Sequence, residues 1–224
     1  EFRRVLFRSC LIFVPPCGQR TMNTFLGASQ SLPAEALDDA QIASASVLYL
    51  EGYLWDPEEP RQAMRRAIAA ARNAGRKVAF TLSDAFLISR HGDDFRALIA
   101  DGQIDILFAN EHELAALTGV EDFHAGIEQL AAKVPTVVVT RSENGAHAIS
   151  NGEHAHVPAE PIEKVVDTTG AGDLFAAGFL FGYVRNKPLA ESLTLGAICA
   201  AEVISHYGAR PEANLRELVA SRLG

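Results

Sequence analysis

Apolar and polar positions follow two periods along this chain, and the two periods alternate. Short apolar runs at residues 47–50, 77–82, 104–108 and 136–140, the last strongly β-branched, read as buried strands. Residues 57–74 instead carry apolar side chains at helical spacing and stop at Gly75, which predicts an amphipathic helix. Helices are also expected over residues 33–45, with Pro33 in the first turn, through 95–100, over 111–117 ahead of Gly119, and over 125–133. Residues 146–150 and 154–157 alternate about Asn151-Gly152, a strong hairpin signal that leaves His154 and His156 facing solvent together. Two long helices, 170–184 and 189–206, and a shorter one near the C-terminus complete the pattern. At the other end, residues 11–14 and 20–25 are β-like runs around Pro15-Pro16-Cys17-Gly18, and predict a hairpin at the edge of something larger.

Strands that alternate with helices imply an α/β fold with a mostly parallel sheet covered by helices on both faces, a three-layer αβα arrangement. Ligands in such folds sit beyond the carboxyl ends of the strands. The informative polar residues fall there. Asn110 and Glu113 follow one strand, Thr140 to Gly145 follow another, and Asp167 to Asp173 lead into a helix. Three loops are therefore expected to converge on one site.

Composition narrows the class. A chain of 224 residues suits one α/β domain, or one with a small appendage, and 48% hydrophobic with 21% charged residues is the balance of a soluble globular protein. The net charge of −8 argues against a general nucleic-acid binder and leaves room for a small anionic ligand in a local pocket. Cys10, Cys17 and Cys199 have neither metal-ligand spacing nor the density of a disulfide framework, so reduced thiols in a cytoplasmic protein are expected. No apolar run approaches the ~18 residues of a membrane span. Residues 1–9 differ in texture from all that follows, lack an initiator Met, and read as translated adapter rather than native protein.

The chemistry concentrates in Asp167-Thr168-Thr169-Gly170-Ala171-Gly172-Asp173, which opens the apolar run 174–180. A glycine-rich turn feeding a helix presents free N–H groups at the positive end of the helix dipole, a natural anion site. The carboxylate of Asp173 is poorly suited to holding phosphate but well suited to taking a proton from a hydroxyl that attacks it. Asn110 and Glu113 lie on one helical face, and their oxygens suit Mg²⁺ held through water; a helix cap with Glu in the first turn has the same sequence. Residues 140–145 can contact phosphate through hydroxyls, backbone and Arg141, or can be a plain turn.

Together these residues resemble the ribokinase-like, or PfkB, family of sugar and nucleoside kinases, and residues 18–24, 49–53, 80–86, 105–110, 196–201 and 208–211 resemble its adenosine kinase branch. The likeness runs over about residues 10–220. Its strongest part is the signature at residues 167–180, followed by Asn110-x-x-Glu113. Residues 140–145 resemble the ATP loop, with Ser142 where many members carry Gly. The resemblance implies a ribokinase-like fold, with residues 10–26 a remnant of a small β lid and 27–224 the nucleotide-binding and catalytic domain. It implies ATP and Mg²⁺, with K⁺ as a secondary expectation at Asp167 and the Thr169 carbonyl. Asp173 would be the base and the N–H groups of Gly170, Ala171 and Gly172 the anion hole. Thr140, Ser142 and Gly145, with Ala197, Ala200 and Gly208 walling the adenine, would hold the nucleotide. Arg20 would contact phosphate from the lid, and Tyr53 would stack on a nucleoside base, unless it is a core tyrosine behind its strand. The expected acceptor is the 5′-hydroxyl of adenosine, with a ribose or fructose as the alternative. A monomer or homodimer acting on small molecules, away from membranes and nucleic acids, is the matching expectation. Roughly the first hundred residues of such proteins, with much of the acceptor pocket, have no counterpart here, so an ATP-binding remnant without turnover is a further reading.

Overall fold

A computed structural model of the protein describes residues 8–223; residues 1–7, which carry most of the expected non-native segment, lie outside the described residues. The first elements in chain order are β1 (Ser9–Phe13), β2 (Thr21–Phe25), α1 (Asp39–Ser44), β3 (Val47–Glu51), α2 (Glu58–Asn73), β4 (Lys77–Thr81) and α3 (Ala85–Ala100). There follow β5 (Ile106–Asn110), α4 (Glu111–Thr118), α5 (Phe123–Ala131), β6 (Thr136–Thr140), β7 (Ala146–Ser150) and β8 (Glu153–Val157). Helices α6 (Ala171–Tyr183), α7 (Leu189–Val203) and α8 (Leu215–Leu223) end the chain.

Six strands form one sheet in the order β3-β4-β5-β6-β7-β8, and β1 pairs with β2 in a separate two-stranded sheet. Strand β4 runs parallel to both β3 and β5, with Val47 beside Lys77 and Ala79 beside Ile106. The larger sheet is mixed, mostly parallel and flanked by helices, as an alternating strand and helix pattern requires. Strands β1 and β2 are antiparallel, with Ser9 opposite Phe25 and Phe13 opposite Thr21. The described chain divides into two compact units, residues 26–139 with 148–153, and residues 8–25 with 140–147 and 154–223.

The first unit holds the large core. In β4, β5 and β6 the side chains are buried almost without interruption, as strands covered on both faces must be. Helix α2 buries Pro60, Ala63, Met64, Ala67, Ile68 and Ala71, the stripe its sequence spacing predicts. Trp55, Phe80 and Phe95 meet edge to face, with centroids 5.2–5.9 Å apart, and the fully buried indole N–H donates to Asp94 Oδ2 at 3.1 Å. Two expectations change here. Residues 33–45 form no single helix but a 3₁₀ turn at Ala34–Ala36 and the short α1. Asp38 causes the break: it is extended and caps a new helix, accepting from the N–H groups of Ala40 and Gln41. Helix α3 begins well before Phe95, because Asp84 caps it through the Phe86 N–H.

In the second unit α6 and α7 pack closely through glycine. A Cβ on Gly178 would fall on the Leu195 carbonyl and come within 2.9 Å of Gly196 Cα, and one on Gly196 would lie 2.8 Å from the Phe175 carbonyl. Phe175, Phe179, Leu193 and Ile198 fill the remaining contact and are buried. Helix α7 ends at Val203, short of the expected residue 206, and the Ile204 carbonyl accepts from Val166 N–H at 2.8 Å.

Candidate active site

The glycine turn lies in the second unit. Gly170 is the N-cap of α6 with φ 84°, and a Cβ there would stand 3.0 Å from the Cα and Cβ of Ala209. The backbone angle and the close approach both favour glycine there. The N–H groups of Gly170 and Gly172 meet no acceptor among the described residues. Ala171 departs from the expected trio, since its N–H closes the turn onto the Thr168 carbonyl at 3.3 Å. Asp173 stands in the first turn of α6, where the positive end of the helix favours a carboxylate. Solvent reaches it, yet the protein around it removes enough water to push its carboxyl above the ordinary range, against the pull of Arg20 and Arg8. Arg20 Nη1 donates to Thr168 Oγ1 at 3.2 Å, which anchors the guanidinium beside the same turn.

Asp167 supports the turn from below and is 2% exposed. Its Oδ1 accepts from the Thr169 N–H at 2.9 Å and the Thr169 hydroxyl at 2.6 Å, and its Oδ2 accepts from the Gly208 N–H at 3.0 Å. Burial alone would raise the carboxyl, but these bonds, with Arg20 nearby, outweigh it and hold Asp167 below the usual range. Thr169 is buried with it, at 5% exposure.

The loop after β6 is a tight turn. Asn144 N–H donates to the Arg141 carbonyl at 2.8 Å, and Arg141 N–H to the Gly145 carbonyl at 2.8 Å. Ser142 has φ 50°, a left-handed conformation that costs a non-glycine residue about 1–2 kcal/mol. That strain explains why a glycine would be favoured at this position. Gly145 has φ 81°, and a Cβ there would fall on the Val157 carbonyl and 2.8 Å from Pro158. Thr140 is half-buried at the end of β6, Ala197 and Ala200 are half-buried on α7, and Gly208 is exposed.

Asn110, Glu113 and Tyr53 belong to the first unit, and every other expected site residue to the second. Asn110 Oδ1 accepts from the Glu113 N–H at 2.9 Å, while Asn110 N–H and Nδ2 donate to Glu113 Oε2 and Oε1 at 3.0 and 2.8 Å. This is a complete capping box, the cap that the sequence allowed alongside a metal role. Glu113 is 5% exposed, and burial pushes its carboxyl up to about 7; Asn110 N–H opposes the rise and Asp84 adds to it. Each carboxylate oxygen keeps one acceptor position beyond its bond to Asn110, so the pair retains oxygen donors of the type Mg²⁺ takes through water. Tyr53 is 48% exposed and donates to the Ser83 carbonyl at 3.3 Å, so it is no core tyrosine. Sequence reading assigned no role to Ser83, Asp84, Glu202 or His206; Ser83 meets Tyr53 across the fold, Asp84 caps α3, and Glu202 and His206 meet the segment that follows α7. Among the described residues no cluster of three or more His, Cys, Asp or Glu forms a metal cage, and no helix is long and apolar enough to cross a membrane.

An α/β sheet with a glycine turn, an aspartate one residue beyond it and a helix behind defines a class of kinase-like proteins, and the chain belongs to the pfkB family of carbohydrate kinases, whose family profile matches residues 8–215. Among characterised relatives it is similar to cytidine kinase of Thermococcus kodakarensis, 42% identical over 111 residues that cover 47% of this chain and 39% of that protein. It is also similar to fructokinase of Klebsiella pneumoniae, 31% identical over 202 residues, covering 86% and 66%. Adenosine kinase from Sinorhizobium meliloti has a crystal structure that matches with a TM-score of 0.91 at 44% identity, over 96% of this chain and 65% of that one. The chain thus spans 39–66% of the length of these relatives.

Proposed function

We propose that the protein is an ATP-dependent kinase that phosphorylates an alcohol, with the 5′-hydroxyl of adenosine as its favoured acceptor. The observation that carries this reading is Asp173, a carboxylate in the first turn of α6 directly after a turn whose Gly170 and Gly172 N–H groups are open. Asp173 takes the proton of the acceptor hydroxyl as its oxygen attacks the γ-phosphorus, and the bond from that phosphorus to the ADP oxygen breaks. The open N–H groups and the α6 dipole hold the phosphoryl oxygens, and Arg20 adds positive charge. Thr140, Ser142 and Gly145 bind the nucleotide's phosphates, and Ala197, Ala200 and Gly208 wall its base. Asn110 and Glu113 organise the waters of Mg²⁺, which when bound neutralises charge on the phosphates. Asp167, ionised and buried, together with the Thr169 carbonyl suits a monovalent cation such as K⁺.

Adenosine is preferred on the 44% identity with the Sinorhizobium adenosine kinase over 96% of the chain, and on the exposed ring of Tyr53, which offers a base a stacking face. A sugar acceptor is the second reading, supported by the match to the Klebsiella fructokinase over 86% of the chain. The test is turnover of the 224-residue chain with ATP, Mg²⁺ and adenosine, cytidine, ribose or fructose. Turnover of sugars with none of adenosine overturns the preferred acceptor. Asp173→Asn lowers kcat by about 10²–10⁴-fold while nucleotide binding persists, because the base goes and the shape stays. Unchanged kcat in that variant removes the role assigned to Asp173.

A further inference from the structure

Near the end of α7, Glu202 is a carboxylate that the proposed chemistry does not use. Its side chain is 7% exposed, and its Oε1 accepts backbone N–H bonds from Glu212 and Ala213, each 2.8 Å long. The Oε2 atom is buried without a hydrogen-bond partner. His206 lies one turn further on, with Nε2 3.4 Å from Glu202 Oε1, and its Nδ1 is 3.2 Å from the Tyr207 carbonyl and 3.8 Å from Glu212 Oε1. Burial disfavours a charge on His206, but the Tyr207 carbonyl and the two carboxylates outweigh it and hold the imidazole above its usual range. A buried carboxylate costs much desolvation energy, and one without a full set of partners costs more.

The segment that Glu202 grips, residues 207–213, contains no helix or strand. Its beginning is tied to the glycine turn: Gly208 N–H donates to Asp167 Oδ2, and Ala209 closes against Gly170. Among the described residues, the hydrogen bonds at its end run to Glu202, which holds two successive N–H groups. We propose that Glu202 is a positioning residue, a latch that fixes residues 207–213 as a strap against the Gly170 turn, with His206 as its counter-charge. The strap carries Gly208, assigned above to the nucleotide's base, and closes on Gly170 through Ala209, so the latch governs nucleotide affinity first and the placing of the anion hole second. The consequence for affinity rests on the kinase function proposed above; the latch itself does not.

The experiment compares Glu202→Ala and Glu202→Gln with the wild-type chain by amide hydrogen exchange, by calorimetric binding of a non-hydrolysable ATP analogue, and by steady-state kinetics. Glu202→Ala should speed exchange at Glu212 and Ala213 by about tenfold or more, and raise the Kd of the analogue and the KM for ATP by about tenfold, with a smaller loss in kcat than in affinity. Glu202→Gln keeps a carbonyl oxygen for the two N–H groups and should recover most of the protection and affinity. Unchanged exchange at residues 212 and 213 in Glu202→Ala overturns the latch. So does faster exchange spread equally through α6, which would mark a general loss of packing. If Glu202→Ala does not fold, Glu202→Gln decides: its weaker neutral acceptor should leave exchange at residues 212 and 213 slightly faster than in the wild type and lower the titration of His206, and wild-type exchange with an unmoved His206 overturns the latch. Wild-type chain that binds no ATP analogue overturns the kinase reading, and exchange then judges the latch alone.

Discussion

Glu113 gives the most quantitative prediction. Its carboxyl is 5% exposed and pushed up to about 7, chiefly by burial. An acid whose folded-state value lies above its unfolded value binds more protons when folded, so stability must fall as pH rises between the two. With an unfolded value of 4.5 and a folded value of about 7, the linked loss between about pH 5.5 and about pH 8 amounts to about 2 kcal/mol. Glu113→Gln removes the titration and keeps one carbonyl oxygen for the Asn110 N–H. Urea denaturation of both proteins across this range, without metal, should show the wild type losing about 2 kcal/mol relative to the variant as pH rises. A difference that stays constant with pH would refute the assignment of a raised Glu113. Millimolar Mg²⁺ adds a second arm. If the ion's waters engage the carboxylate, its ionised form is favoured and the pH dependence flattens; a slope indifferent to Mg²⁺ leaves Glu113 as a cap only.

Two other substitutions follow from the second unit. Asp167→Ala strands the Thr169 N–H, its hydroxyl and the Gly208 N–H, and should cost about 3 kcal/mol by denaturation at neutral pH. Because the folded Asp167 value is lowered, its contribution is present above the unfolded value and fades as pH falls through the folded one, so the gap to wild type should narrow in acid; a gap independent of pH contradicts this. Gly178→Ala drives a Cβ onto the Leu195 carbonyl and should cost about 3 kcal/mol, read as a lower melting temperature, because α7 must retreat. A variant that melts with the wild type would show that the two helices have slack.

Much of this was legible in the pattern of residues. The runs at 77–82 and 136–140 became β4 and β6, the stripe over 57–74 became α2, and Asn151-Gly152 became the turn between β7 and β8, with φ of 48° and 86°. Where the pattern failed, a polar residue had redirected the backbone. Asp38 broke the helix expected over 33–45 by capping a new one, and the Thr168 carbonyl took the Ala171 N–H that was expected to be open.

The amino-acid sequence by itself determined the α/β class and the glycine turn with its aspartate, and allowed the Asn110 cap, because each rests on residues within a few positions of one another. Periodicity, capping and turn chemistry act over that range. Tertiary structure alone decided the charge states and the anchors. Burial in the core pushes the Glu113 carboxyl up to about 7, and Asp167 is held low against its own burial by the Thr169 hydroxyl beside it and by Gly208, far along the chain. Glu202 gained a role only when residues 212 and 213 folded back onto it. Desolvation and long-range hydrogen bonds depend on what comes near in space, and no spacing along the chain encodes that.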